Sequence, residues 1–274
     1  MTRAIELLKN SFGVSQLYQH DVVKNGAVIF SVYWHPLTIA EREAITKKSN
    51  ANDTNDFALA LMIEKGEIPM VDAAIFADVK GEPKNVYTWL DWLEKQLNYP
   101  VFRVTYRDLK QDILDAAIGK HKAFTAPFYT KNPETGKKGL LRRQCTADYK
   151  IKPVVKKVRE MLGLKWGEKR KKGTSVEMIM GISIDEVFRM KPNRLPYITN
   201  VYPLIDMNMR RQNCIDWFNK YYDKTPPRSA CIYCPYKNDR EWMHLKKNNP
   251  KEWNEVVEFD KKIRNNSRKK EEEV

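Results

Sequence analysis

The run from Val71 to Ala77, apolar at every position but Asp72 and closed by Asp78, constrains the fold of this chain more than any other feature. A short apolar run of this kind suits a strand buried on both faces of a parallel sheet. Helical spacing follows it: Val86, Trp89, Leu90, Leu93 and Leu97 repeat at three- and four-residue intervals, and a second short strand is expected at Val101 to Val104. Ahead of the run, Phe57 to Lys65 has helical character. Beyond it, Ile151, Val154, Val155, Val158 and Leu162 share one helix face. A strand is expected at Val176 to Met180, and helices at Arg211 to Tyr222 and Lys251 to Ile263. Strands alternating with helices predict an α/β fold with a mainly parallel, Rossmann-like sheet flanked by helices.

The first fifty residues have a different texture. Leu17 to Val23 and Val28 to Trp34 are β-rich runs separated by Lys24-Asn25-Gly26-Ala27, and Asn-Gly favours a tight hairpin turn. Pro36 ends the second run, and Thr38-Ile39-Ala40-Glu41 has the form of a capping box that starts a helix. The polar stretch Lys47 to Asp56 is expected to be a linker. Three parts result: a small N-terminal β-hairpin plus helix segment over 1–50, the α/β domain over 57–264, and a charged tail over 265–274.

The formal net charge of +14 favours polyanionic partners such as nucleic acid or nucleotide phosphates. Much of it lies in the runs Lys165 to Lys172 and Lys261 to Lys270, a pattern more common in solvated loops and tails than in binding sites. No apolar stretch near Met1 suggests a leader, and no segment has the apolar length of a membrane span. The expectation is a soluble, cytoplasmic protein with no membrane partner, in which thiols stay reduced or hold metal.

Four cysteines occur: Cys145, Cys214, Cys231 and Cys234. The last two form a C-x-x-C within Ser-Ala-Cys-Ile-Tyr-Cys-Pro-Tyr. Four thiolates match the ligand count of zinc or of a four-iron cluster. The competing reading is two buried thiols plus a redox or structural C-x-x-C. Asp78 closes the apolar strand and Glu82 follows it; carboxylates beyond a strand end suit Mg²⁺ or a nucleotide, or simply cap the next helix. Arg142 and Arg143 precede Cys145, with Lys150 shortly after, a cluster suited to phosphate or sulfate. Gly181 lies just past the strand at Val176, where glycine permits close approach of a ligand, and Asp185 and Arg189 follow it.

Ala74-Ile75-Phe76-Ala77-Asp78, Arg143-Gln144-Cys145-Thr146, Gly181-Ile182-Ser183-Ile184-Asp185-Glu186, Tyr202-Pro203-Leu204-Ile205 and Ser229-Ala230-Cys231-Ile232-Tyr233-Cys234-Pro235 stand in this order. Together they resemble the phage-encoded relatives of phosphoadenosine phosphosulfate reductase, in the PP-loop (adenine nucleotide α-hydrolase) superfamily. The resemblance runs from Ala58 to Trp253. It implies a reductase or a sulfur or adenylyl transferase that uses ATP or an adenylyl-sulfate nucleotide, with Mg²⁺ as a further candidate. It also implies a 4Fe-4S cluster, or zinc, on Cys145, Cys214, Cys231 and Cys234. The nucleotide would lie near Asp78, Glu82, Arg142, Arg143, Lys150, Gly181, Asp185 and Arg189. The phosphate loop of such proteins is replaced by Ala51-Asn52-Asp53-Thr54-Asn55-Asp56, without glycine or serine and with two carboxylates. None of the cysteines sits in a C-terminal Glu-Cys-Gly-like motif, so no catalytic nucleophile is assigned. The N-terminal segment is similar to small tail assembly chaperones of tailed phages, which implies phage tail proteins as partners. The alternative function is a catalytically inactive phage assembly or nucleic-acid-binding protein that keeps the fold.

Overall fold

The computed structural model describes residues 18–24, 27–34, 53–120, 126–132, 135–165 and 167–264. The chain divides into two compact units, 1–49 and 50–274. In the first, β1 (Tyr18–Lys24) and β2 (Ala27–Trp34) form an antiparallel pair with Tyr18 opposite Trp34. The register slips by one between Val22 and Val23, a β-bulge. The Asn25-Gly26 turn and the Thr38–Glu41 helix start lie outside the described residues.

The second unit is mixed α/β. Helix α1 (Asp53–Glu64) begins four residues earlier than the Phe57 expected from sequence, because Thr54 and Asn55 are buried in the packing of its first turn. It leads to β3 (Ala74–Ala77), α2 (Lys84–Glu94), β4 (Val101–Val104) and α3 (Leu109–Ala117). A small antiparallel hairpin, β5 (Tyr129–Lys131) with β6 (Lys138–Leu140), precedes a π-turn at Thr146–Ile151 and α4 (Lys152–Met161). Then come β7 (Val176–Ile179), a 3-10 turn (Ile184–Arg189), β8 (Ile198–Val201) and the single-turn α5 (Pro203–Asp206). The helices α6 (Arg211–Tyr222), α7 (Asp239–Asn248) and α8 (Pro250–Arg264) end the described chain. Among the described residues no helix is long and apolar enough to cross a membrane.

Among the described residues every sheet has two strands. β3 pairs with β4 and β7 with β8, both in parallel. Ala74 and Asp78 direct their N–H groups to Pro100 and Val104, so the alternate residues Ile75 and Ala77 present their backbone to the other edge of β3. By the same parity Glu177 and Ile179 face the free edge of β7, since Val176 and Met180 bond to Tyr197 and Val201. No described strand pairs with either edge.

The two pairs nonetheless share both of their cores. Ala74 and Phe76 of β3 and Ile179 of β7 pack with α1, α2 and α6 around Leu61, Leu90 and Phe218. Ile75 of β3 and Val176 and Met178 of β7 pack on the opposite side with Val158 of α4. Alternation along each strand delivers this, since successive side chains point to opposite faces. A third core joins Val79, Ile113, Tyr149, Tyr233, Leu245 and Phe259, and it carries the C-x-x-C segment.

Candidate functional site

Beyond Ala77 the chain turns at Lys80, which adopts φ of 60°. A left-handed conformation costs a residue with a side chain about 1–2 kcal/mol. The turn returns the Lys80 N–H (2.7 Å) and ammonium (2.9 Å) to the buried Asp78 carboxylate. Tyr87, in α2, donates its hydroxyl to the same group at 2.8 Å. Burial works to raise the Asp78 pKa, but these hydrogen bonds outweigh it and hold the carboxyl below its usual value. Tyr87 is pushed upward by burial and by its bond to the Asp78 anion. Both Asp78 oxygens are therefore engaged by protein groups, and the cation at Asp78 is Lys80 rather than Arg142 or Arg143.

Glu82 is buried, with the Lys150 ammonium 3.9 Å from Oε1. Lys150 projects from the π-turn that follows Cys145 directly. Such turns widen a helix by one residue and often re-aim side chains at functional positions. The same turn buries Tyr149, whose hydroxyl donates to Asp112.

The C-x-x-C segment clamps onto this strand-end loop. Ile232 N–H donates to the Gly81 carbonyl at 2.8 Å, and Cys234 N–H closes the turn on the Cys231 carbonyl at 2.9 Å. Gly81 is obligatory for space, because a Cβ there would stand 2.5 Å from the Tyr233 hydroxyl. Tyr233 is held from behind by Phe259, ring centroids 4.7 Å apart. Cys231 hydrogen-bonds to Cys234. Accepting that bond, against the opposing effect of burial, and with help from the Tyr236 N–H, Lys237 and Arg228, brings the Cys234 thiol down to about 6. Cys231 moves well up, through its bond to Cys234, its burial and the nearby Cys234 and Glu82 charges.

Lys237 is held below the ordinary lysine value, mainly by burial and by Arg228. Cys145 packs on the same core as Cys231. After burial, which dominates, the charges of Cys231, Asp108, Glu82 and Cys145 all push the Tyr233 hydroxyl upward. Arg143 stacks 5.4 Å from the Tyr236 ring, beside the cysteine pair, and Arg142 next to it is exposed.

Gly181, Asp185 and Arg189 belong to a second group, past the end of β7. Gly181 N–H donates to Asp56 Oδ1 at 3.0 Å, and Asn55 Nδ2 donates to Ser183 Oγ at 3.1 Å. The first turn of α1 is thereby fastened to the strand end. Asp185 accepts the Arg211 N–H at 2.8 Å at the start of α6, and Arg189 pairs with the buried Glu186 at 2.9 Å. Burial raises the Glu186 pKa despite Arg189.

Cys214 is in this second neighbourhood, in a different core from Cys145 and Cys231. It is 0 % exposed in the core with Trp217 and Phe218, and burial pushes its thiol up to about 12. Its charged neighbours are Arg211, Asp185 and Asp56, whereas those of the C-x-x-C pair are Glu82, Lys150, Lys237 and Arg228. Among the described residues, no three His, Cys, Asp or Glu side chains form a group that could hold a metal ion.

The structure thus puts Cys145 in one core with Cys231, sets the Cys231–Cys234 pair near Glu82 and Lys150, and places Cys214 in another core. Lys80, Tyr87, Arg228, Tyr233 and Lys237 complete the site and were missed from sequence. Gly81, between two charged residues after a strand end, was the available signal for the close contact with Tyr233. Comparison with protein families, curated proteins and solved structures finds no match for this chain.

Proposed function

We propose that the protein carries out sulfur transfer, or a related reductase-like reaction, on an adenine nucleotide, in the manner of the phosphoadenosine phosphosulfate reductase-like proteins it resembles. One observation carries this reading: a hydrogen-bonded cysteine pair lies with Cys145, Glu82 and Lys150 just beyond the carboxyl end of a parallel strand. Open α/β sheets bind ligands at that end. The finer fold that goes with it is one Rossmann-like sheet, with β4-β3 and β7-β8 as its two sides and a strand position between them. The shared cores on both faces support that arrangement.

In this proposal Cys234 supplies the thiolate and Cys231 the adjacent S–H group. Lys150, Lys237 and Arg228 offset the charge of an anionic substrate, and Arg143 guards the entrance. Asp78 and Lys80 hold the loop rather than ligate Mg²⁺.

Titration calorimetry with ATP and with an adenylyl-sulfate tests the reading. The adenylyl-sulfate is expected to bind, and Lys150→Met to weaken it about tenfold, the equivalent of roughly 1.4 kcal/mol. Failure of both nucleotides to bind the unmodified chain would sink the proposal.

A second reading has its own support. Asp56 already takes the strand-end amide of Gly181, where an anionic ligand would find its donor. This favours a protein that keeps the fold without turnover, as a phage assembly or nucleic-acid-binding protein, with the 1–49 unit as the part resembling a tail chaperone.

A further inference from the structure

The Lys165–Lys172 segment places five cations and one carboxylate in eight positions, a composition expected of a solvated loop. In the structure it is tied down. Arg159, near the end of α4, donates through Nη2 to the carbonyls of Lys165 at 3.2 Å and Glu168 at 2.6 Å. The Glu168 carboxylate accepts the Lys165 N–H at 2.8 Å, so the one acidic group of the segment is turned to its own backbone. Thr174 fastens the far end by donating its hydroxyl to the Lys171 carbonyl at 2.9 Å. The turns fall at Gly163, Gly167 and Gly173, with φ of 71°, 77° and 85°.

Around this scaffold lies an open cavity of about 460 Å³. Arg159, Lys169, Arg170 and Lys172 line it together with Glu168 and the Pro196–Tyr197 step. The Arg170 guanidinium covers the Tyr197 ring at 5.3 Å, which fixes that cation in place. On α4 next door, Lys156 and Lys157 are paired with Glu160. Among the described residues no carboxylate pairs with the ammonium groups of Lys169, Lys171 or Lys172. The result is a row of cations held on a folded loop with their charge uncompensated.

We infer that this loop is a docking site for the phosphodiester backbone of nucleic acid. The cations are spread along the segment and face an open cavity, which suits a polymer of phosphates better than one enclosed anion. Among the described residues that line the cavity the one aromatic ring, Tyr197, is buried under Arg170 and offers no stacking platform for bases. The contact is therefore with the backbone and is independent of sequence. Its position sets its role. Lys172 leads into the amino end of β7 and Tyr197 into that of β8, whereas Asp78 and Gly181 lie beyond carboxyl ends. Parallel strands of four residues separate the two ends by about 13 Å. The loop tethers a nucleic acid and performs no chemistry on it, and the inference does not depend on the sulfur-transfer proposal.

Fluorescence anisotropy of the full chain with a labelled DNA duplex, titrated across salt, provides the test. Lys169→Gln, Lys171→Gln and Lys172→Gln are combined in one variant that leaves the Arg170–Tyr197 stack intact. At about 0.1 M salt the affinity should fall roughly tenfold or more, and the slope of log K against log salt should shrink by about 2.7, or 0.9 for each lost contact. The corresponding arginine variant should bind like the parent. A control with Lys251→Gln, Lys261→Gln and Lys262→Gln, equal in charge, should lose less than a third of that slope change. Equal losses in loop variant and control would overturn the site, as would no duplex binding by the parent chain. So would displacement of the duplex by inorganic phosphate beyond that caused by chloride at matched ionic strength. Loop-dependent binding to phosphatidylserine vesicles with duplex binding unaffected would assign the surface to a membrane and also defeat the inference.

Discussion

Gly181→Ala is expected to destabilise the protein by about 3 kcal/mol, seen as a fall in melting temperature of roughly 6 to 12 °C. The reason is space. A Cβ at this position would lie 2.1 Å from Asp56 Oδ1, 2.8 Å from the Asp56 nitrogen and 2.9 Å from its Cα. Two of those atoms are helix backbone, so no rotamer change relieves the overlap. Helix α1 would have to retreat from the end of β7, and the Gly181–Asp56 and Asn55–Ser183 hydrogen bonds would lengthen or break. Leu61 and Met62 of α1, both 0 % exposed, would lose packing with it. Gly119→Ala is the comparison: its Cβ would meet nothing within 4 Å, and the cost is confined to a φ of +79°, about 1–2 kcal/mol. Equal melting temperatures for the two variants would show that α1 does not press on this strand end.

Asp56→Asn is expected to raise the affinity for sulfate or ATP about tenfold, close to 1.4 kcal/mol. Asn keeps an Oδ1 for the Gly181 N–H, so the 3.0 Å contact and the position of α1 survive. Only the charge is removed. At about 4 Å one like charge opposes an anion by roughly 4 kcal/mol at an effective dielectric of 20 and by about 1 kcal/mol in water. Asp56 is exposed, which places the effect toward the lower figure. The first turn of a helix has N–H groups without intrahelical partners, which favour anions. Calorimetry on parent and variant at one ionic strength reads the difference. Unchanged affinity would mean that anions bind elsewhere, and the case for a carboxylate standing in the anion position would be lost.

The apolar strand ending on Asp78 and the helix marked by Val86, Leu90 and Leu93 were legible because each follows a simple period. Cys145 and Cys231 pack on one core, an association that motif order suggests and no period does. Cys214 packs apart from the pair's core, and Trp217 and Phe218 repeat with it at three and four residues, the spacing of a helix face turned to the core. β8 escaped notice because Ile198-Thr199-Asn200-Val201 has only one buried side chain, and its place is set by pairing with β7 rather than by its own pattern. Helix α7 is sparse in apolar residues, yet Asn238 and Glu241 form a reciprocal cap that could have revealed it. The charged stretch before Phe57 hid the start of α1, since Asn55 and Asp56 act through contacts with Ser183 and Gly181 more than a hundred residues away. Contacts of that range have no local signature.

Two sulfur environments are central to the account: a reactive set beside Glu82 and Lys150, and an inert thiol beneath α6. Alkylation of the reduced, folded chain by iodoacetamide, with each cysteine followed separately by mass spectrometry from pH 5 to 10, measures both at once. The thiolate is the nucleophile, so each rate rises with pH through the pKa of its own sulfur. Cys234 should label first, with a midpoint below the ordinary thiol value because it accepts the Cys231 bond and lies near Lys237 and Arg228, and Cys231 only at higher pH. Cys214 should stay unlabelled until denaturant unfolds the protein, because its thiol is buried and pushed up to about 12. Labelling of Cys214 in step with Cys231 and Cys234, or a Cys234 midpoint at the ordinary thiol value, would contradict the separation of these sites.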